Sequence, residues 1–282
     1  MRILIVGGNS SLAGVLKPLL SEFAEIITAD LAGCDLYLDL TDPMEKIVIP
    51  EHIDVVVNLA ASFGGKSFEE IFQAENVNVL GVLKLCNACT KAQIKQLVLI
   101  SSIFASLDIT SPFYSIYSVS KKHSDEVVQL YSQMFGLPLT ILRPSQFYGV
   151  GETQRKHQPF LSAIIDKAAN GEDIFIYGSN DALRNFIHVE DVAKIIALVI
   201  QRKIEGTYDC ANIANVRYSE IVAAAIEAFG SKSIIKFVEE QPSIPNNIFK
   251  LDDTLFRLID YYPQISISLG MKKEAAQRNI FK

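Results

Sequence analysis

Tyr117 and Lys121 stand four residues apart in Tyr117-Ser118-Val119-Ser120-Lys121, downstream of Ser101-Ser102. On a helix, positions i and i+4 share a face, so a phenol and an ammonium would lie side by side near the Ser102 hydroxyl. A tyrosine with its ordinary pKa near ~10 is a poor base, and a neighbouring cation favours the phenolate. Such a pair could take the proton of a substrate alcohol while hydride leaves for a nicotinamide ring. Tyr-x-x-x-Lys also arises by chance, so the elements that would position it have to supply the context.

The first of these elements is the N-terminus. Arg2-Ile3-Leu4-Ile5-Val6 is a short branched apolar run bounded by glycine, the pattern of a buried parallel strand. Gly7-Gly8-Asn9-Ser10-Ser11-Leu12-Ala13-Gly14 follows and opens a helical pattern through about residue 23. Gly8 and Gly14 stand where a dinucleotide-binding turn needs a tight bend and a close helix–strand approach, with Ser11 in place of the middle glycine. Amides at that helix start would hold a pyrophosphate. Asp30 ends a second strand over 25–29, 22 residues beyond Gly8, where a carboxylate accepts hydrogen bonds from ribose hydroxyls and repels a 2′-phosphate. Neither Arg nor Lys lies between Lys17 and Lys46 to receive that phosphate, which favours NAD over NADP.

The composition is compatible with this reading. A chain of 282 residues with 49% apolar content can bury a full core. A net charge of −6 argues against nucleic acid or an anionic membrane as partner. The apolar runs are too short for a membrane span or a signal peptide, so a cytoplasmic location is expected. Cys34, Cys86, Cys89 and Cys210 suit a reducing compartment. Cys86-Asn87-Ala88-Cys89 has metal or redox spacing, but it falls in a helical run without a second ligand pair and reads as buried thiols. Four scattered histidines offer no metal cluster, and His188, between Ile187 and Val189, reads as a packed residue.

Strand patterns over 54–59, 96–100 and 139–142 alternate with helical ones over 78–92 and 117–135. This alternation predicts an α/β fold with a doubly wound parallel sheet of the Rossmann-like kind. Gly8, Asp30, Ala60, Ser102 and Pro144 would then converge at the carboxyl ends of the strands, where such sheets bind ligands. The pattern loosens after about residue 150, with helices over 160–170, 191–202, 218–229 and 254–259 and strands over 174–177 and 207–210. The division expected is a dinucleotide-binding domain over 1–150 and a small α/β substrate lobe over 151–282, partly interleaved with the sheet.

Nine stretches fall in an order that resembles the extended short-chain dehydrogenase/reductases, specifically the NAD-dependent epimerase/dehydratase family acting on nucleotide sugars. They are Gly8…Gly14, Asp30, Asp39-Leu40-Thr41-Asp42, Asn58-Leu59-Ala60-Ala61, Val77-Asn78-Val79-Leu80-Gly81, Ser101-Ser102, Tyr117…Lys121, Leu142-Arg143-Pro144 with Tyr148-Gly149, and residues 184–193 from Arg184 to Ala193. The resemblance implies that residues 8–12 and Gly14 (Gly8, Asn9, Ser10, Ser11, Leu12) hold the dinucleotide together with Asp30. Asp39 and Leu40 would lie along the adenine, and Leu59, Ala60 and Ala61 would let the cofactor pass over the strand end. It implies Ser102 as the group orienting the sugar hydroxyl or ketone, Tyr117 as acid/base, and Lys121 as the residue that holds the nicotinamide ribose and lowers the tyrosine pKa. Asn78 and Pro144 would flank the cofactor, although Asn78 reads equally as a helix buttress. Gln146 would meet the sugar and Arg184 the diphosphate, for which guanidinium geometry is suited; an ordinary surface salt bridge is the alternative for Arg184. A homodimer through the helices around Tyr117 and Asn78 is a further implication. Lys66, Arg155, Lys156 and His157 are additional candidates for an anion.

Departures from the family pattern narrow the expected reaction. Family dehydratases carry Asp-Glu after the catalytic Ser or Thr; here Ile103-Phe104 follows Ser102 and can move no proton. The cysteine used for epimerisation at carbons 3 and 5 is replaced by Phe104. Chemistry at one carbinol remains, carbon 4 above all, as a 4-epimerase or 4-ketoreductase. A reductase on a non-nucleotide substrate and a non-catalytic dinucleotide sensor are the alternatives; retention of the Tyr/Lys pair speaks against the sensor.

Overall fold

The structure is a computed structural model that describes residues 1–149 and 158–280. Its chain clusters into two compact units. The first comprises Met1–Pro144, Ala193–Cys210 and Thr254–Asp260; the second comprises Ser145–Val192, Ala211–Asp253 and Tyr261–Lys282. Stretches 193–210 and 254–260, which a single cut after residue 150 assigns to the second lobe, cluster with the first.

The first unit is built on a seven-stranded parallel sheet. Its strands in chain order are β1 (Arg2–Val6), β2 (Glu25–Asp30), β3 (Leu36–Tyr37), β4 (Val55–Asn58), β5 (Gln96–Ile100) and β6 (Leu139–Pro144), completed by Gly206–Cys210. From one edge the spatial order is Gly206–Cys210, β6, β5, β4, β1, β2, β3. The chain builds outward from β1 to β3, then returns to β1's other side and builds outward again. The switch point therefore falls between β1 and β4, which pair through Ile3–Val55 to Val6–Asn58. β4 and β5 are buried at every position, as expected of strands covered on both faces.

Helices α1 (Ser11–Ser21), α2 (Phe68–Glu75), α3 (Val82–Lys91) and α4 (Ile116–Phe135) belong to this unit. The helix expected over 78–92 starts ten residues earlier, at Phe68, where Ser67 and Glu70 form a capping box. Asn76–Gly81 joins α2 to α3 as a π-helical segment. Gly81 is required there, because a Cβ would lie 2.7 Å from the Leu40 Cβ. Leu40 is thereby a core residue, buried with Leu38, Val82 and Leu85. Ser115 caps α4 and left-handed Gly136 ends it.

The second unit contains three short two-stranded pairings: Gln146–Tyr148 with Phe186–His188, Leu183–Arg184 with Val216–Arg217, and Ile174–Tyr177 with Ile235–Val238. Helices Pro159–Asn170, Tyr218–Phe229 and Ile267–Ile280 pack around its core, where Leu161, Ile164, Ile176, Ile221 and Met271 are buried together. The last of these helices was not foreseen. Its sequence lacks a clear apolar stripe, although Met271 and Ala275 are buried. Among the described residues no helix is long and apolar enough to cross a membrane.

Candidate active site

The glycine-rich turn is strapped to the end of β2. The amides of Gly7 and Gly8 both donate to the Ala29 carbonyl, at 2.9 and 3.1 Å. Asp30 Oδ2 accepts from the Asn9 amide at 2.9 Å and its Oδ1 from the Leu31 amide at 2.8 Å. Ser10 caps α1 by accepting from the Ala13 amide. The close approach expected of Gly8 and Gly14 is met at Gly8, and at Gly7 in place of Gly14. A Cβ on Gly7 would lie 2.7 Å from the Ala60 amide nitrogen and one on Gly8 2.8 Å from Cys34 Sγ, whereas one on Gly14 would meet nothing within 4 Å. Bare backbone, a helix N-terminus and a carboxylate at the tip of β2 fit a dinucleotide. Leu59 and Ala60 are partly buried beside this turn and Ala61 is exposed, while Leu12 is buried in the core. Asp39 Oδ1 is engaged locally, accepting from the Thr41 amide and hydroxyl.

The buried face of α4 consists of Ser118, Ser120, Lys121, Ser124, Asp125 and Val128, all polar but the last. A helix that folds such a stripe inward has to satisfy it, because unpaired buried polar groups are costly. Lys121 is 2% exposed, and its Nζ donates to the Ile100 carbonyl at the end of β5 at 3.0 Å. Its Nζ lies 5.8 Å from the centroid of the Tyr117 ring. The Ser102 side chain faces the Tyr117 hydroxyl and itself accepts from the Phe104 amide at 3.2 Å. Phe63, 53% exposed, stacks on the Tyr117 ring at 4.9 Å between ring centroids. The three residues singled out from the sequence are thus brought together.

Their electrostatics differ from the expectation. Burial pushes the Tyr117 phenol well above its ordinary range; the Ser102 hydrogen bond opposes this, and the charge of Asp125 adds to it. Burial also pulls Lys121 down to about 8, against the opposing charge of Asp125. Burial is the larger influence on the phenol here, and it acts on the charge of the lysine as well.

Asn78 acts as a buttress. Its Nδ2 donates to the Ser62 carbonyl at 2.7 Å and to Ser120 Oγ at 2.8 Å, and its Oδ1 accepts from the Ser62 amide at 2.8 Å. These bonds tie the π-helical segment to α4 and to the loop after β4. Pro144 ends β6 and is buried.

In the second unit Arg184 is buried rather than a surface residue. Its Nε donates to the Tyr218 hydroxyl at 2.7 Å and its Nη1 to the carbonyls of Leu183 and Pro245. Gln146 Oε1 accepts from Asn247 at 3.3 Å. His188 is packed edge-on to Tyr148, and burial lowers its pKa. Cys86 and Cys89 are buried, and burial pushes Cys86 up to about 12, so neither is a reactive thiol. Lys66 gives its backbone amide to Glu70; Arg155, Lys156 and His157 lie outside the described residues. Among the described residues no cluster of three or more His, Cys, Asp and Glu could hold a metal.

Sequence reasoning missed Gly7, Phe63 and Asp125. Asp125 had a signal, since it follows Lys121 by four residues and must share its helix face. Phe63 had none, because its loop carries no periodic pattern.

Comparison with known proteins matches residues 14–214, well over half of the chain, to the family described as "NAD dependent epimerase/dehydratase family". Protein CapI of Staphylococcus aureus is 26% identical over 268 residues, covering 84% of this chain and 79% of that protein. A putative UDP-glucose 4-epimerase of Methanocaldococcus jannaschii is 28% identical over 193 residues, or 64% of this chain and 61% of that one. Among solved structures, a UDP-glucuronic acid 4-epimerase from Bacillus cereus in complex with UDP-glucuronic acid and NAD superposes with a TM-score of 0.79 at 19% identity, covering all of both chains.

Proposed function

The chain belongs to the NAD dependent epimerase/dehydratase family, and from that premise we propose that it is an epimerase or ketoreductase that moves hydride at a single carbinol, carbon 4, of a nucleotide-diphosphate sugar. The observation that carries this reading is the gathering of Ser102, just past β5, with Tyr117 and Lys121 of α4, the lysine buried on a polar helix face and held by the last carbonyl of β5. Ile103 and Phe104 offer no further proton-transfer group next to Ser102.

In this proposal Gly7, Gly8, Ser10 and Asp30 hold NAD, and an oxidised nicotinamide would supply the hydride acceptor and a positive charge that favours the phenolate. Ser102 orients the carbinol oxygen, and Tyr117 takes its proton when the carbinol is oxidised and returns one when the ketone is reduced. Lys121 fixes the ribose side of the site. Arg184 is the proposed diphosphate contact, and the bonds that hold its guanidinium rigid would preorganise it. Gln146 is proposed beside the sugar. A second copy of the chain is the proposed protein partner, through the exposed Phe68, Phe72, Leu130 and Met134 on α2 and α4, with sedimentation as its measure.

The deciding experiment incubates the purified protein and NAD with UDP-, GDP-, CDP- and dTDP-sugars and follows carbon-4 epimers by NMR and NADH by absorbance. Interconversion without net NADH identifies an epimerase, and oxidation of NADH on a 4-keto sugar identifies a reductase. Absence of both, with every sugar leaving the melting temperature unchanged, removes the nucleotide-sugar reading.

Replacing Asp30 by Ala deletes the acceptor for the ribose hydroxyls and the bond that holds the Asn9 amide. A hydrogen bond to a charged group contributes about 1.5–3 kcal/mol, so NAD affinity should fall about tenfold to a hundredfold. NADP affinity should fall less, because the repulsion of its phosphate goes too. Fluorescence titration with NADH and NADPH reads the ratio, and an unchanged preference would remove Asp30 from the cofactor site.

A further inference from the structure

Asp125 lies one turn beyond Lys121 on α4 and is 0% exposed. A carboxylate taken this far from water needs partners. Arg143 on β6 gives one, its Nε donating to Oδ2 at 2.7 Å. The Ser101 hydroxyl, just past β5, faces the same carboxylate, but Ser101 Oγ and Asp125 Oδ1 do not meet in a well-formed hydrogen bond. The second oxygen thus remains an under-satisfied acceptor at the inner end of the buried face that carries Lys121.

A buried carboxylate–guanidinium pair is a weak stabiliser, because desolvation offsets much of its attraction, and packed apolar residues often serve as well. The charges around this pair suggest what else it does. On α4 are Tyr117, Lys121 and Asp125; on β6 is Arg143; and Asp209 stands opposite Arg143 in the register of the neighbouring strand. Two cations, Lys121 and Arg143, therefore flank one fully buried anion. Lys121 has three protons to donate and gives one to the Ile100 carbonyl, a neutral acceptor.

We propose that Asp125 is a positioning residue whose buried carboxylate, anchored by Arg143, holds Lys121 as an ammonium and fixes its head against the end of β5. The proposal rests on Lys121 belonging to the active site. Without a negative charge on the same helix face, the neutral Ile100 carbonyl is left to favour the lysine's proton against burial. The Asp125 charge also disfavours the Tyr117 phenolate, so its removal should ease both deprotonations and move them in the same direction.

The test is Asp125→Asn in the full chain, read in two ways. Nitrogen-15 NMR of lysine-labelled protein follows Lys121 Nζ against pH, with the signal assigned by its disappearance in Lys121→Arg. The midpoint should drop from about 8 by about one pH unit or more, the effect of losing a nearby opposite charge. In turnover, the pH at which the rate stops rising should move lower with the lysine, while Asp125→Glu, which keeps the charge, should restore the midpoint. Should Asp125→Asn fail to fold with Arg143 unpaired, the double variant Asp125→Asn/Arg143→Gln removes both charges and should still lower the midpoint. An unchanged Lys121 titration in either folded variant overturns the proposal, whatever the turnover. A lowered midpoint in a protein that turns over no sugar upholds the counter-ion and instead refutes the proposed reaction.

Discussion

Tyr117→Phe removes hydride transfer, by about a thousandfold or more, and leaves the cofactor bound. The variant deletes one oxygen. The ring keeps its stacking on Phe63, Ser102 keeps its bond from the Phe104 amide, and Lys121 keeps the Ile100 carbonyl. Gly7, Gly8 and Asp30, which form the proposed cofactor cradle, lie on other elements. General acid–base catalysis contributes typically 10²–10⁴-fold, and Phe can neither accept nor return a proton. Burial sets the pH dependence that accompanies this. The phenol sits well above its ordinary range, so the neutral form dominates at neutral pH and parent turnover in the oxidising direction should rise with pH. It should level off once Lys121 loses its proton near 8, because further phenolate is then gained only as ammonium is lost. Stopped-flow measurement of NADH formation, with calorimetry for NAD binding, separates the two roles. Turnover within tenfold of the parent would show that the proton moves through another group.

Much of this site could be read from residue types and spacing, and the parts that could not share a cause. Strand tips were legible because β1, β4 and β5 are short apolar runs that stop at Gly7, Asn58 and Ser101. That the strands run parallel follows from alternation, which is why Gly8, Asp30 and Ser102 are expected together at their carboxyl ends. The helix face bearing Tyr117 and Lys121 follows from a period of 3.6. What escaped was set by three-dimensional contacts rather than by period. Asn78 reads equally as a cofactor contact and as a buttress, and what separates the two is the π-helical segment that turns it toward Ser62 and Ser120. Arg184 reads as a diphosphate contact or, alternatively, a surface salt-bridge partner; its burial depends on Tyr218 and Pro245, far along the chain. The net direction of the tyrosine pKa was not legible, because spacing reports a neighbouring cation and says nothing of burial, here the larger effect. Helix α2 begins at exposed Phe68 and buries only Ala74, so its sequence carries no apolar stripe to mark it.

Gly7→Ala should be the most damaging single substitution outside the catalytic group. Gly7 has φ of +83°, a left-handed conformation that costs an L-residue about 1 kcal/mol or more. Its missing Cβ faces backbone that cannot rotate away: the Ala60 nitrogen at 2.7 Å, with Ala60 Cα and the Leu59 carbonyl carbon at 3.0 Å. Relief requires β1 and the loop after β4 to part at the switch point, where Gly7 also donates to Ala29 and accepts from the Ser10 amide. Strain and clash together should cost about 3 kcal/mol or more, or roughly 6–10 °C in melting temperature for a domain of this size. NAD affinity should be lost with it, since the turn that would receive the pyrophosphate is the one displaced. Gly14→Ala is the matched control. Its Cβ would meet nothing within 4 Å on the helix α1, and Ala is favoured over Gly in a helix by up to about 1 kcal/mol, so its melting temperature should hold or rise. Calorimetric scans of both variants, with NAD titrations, make the comparison. Equal stability of the two would mean that Ala60 and Gly7 do not meet as described, and with that contact would go the argument for a cofactor passing over this strand end.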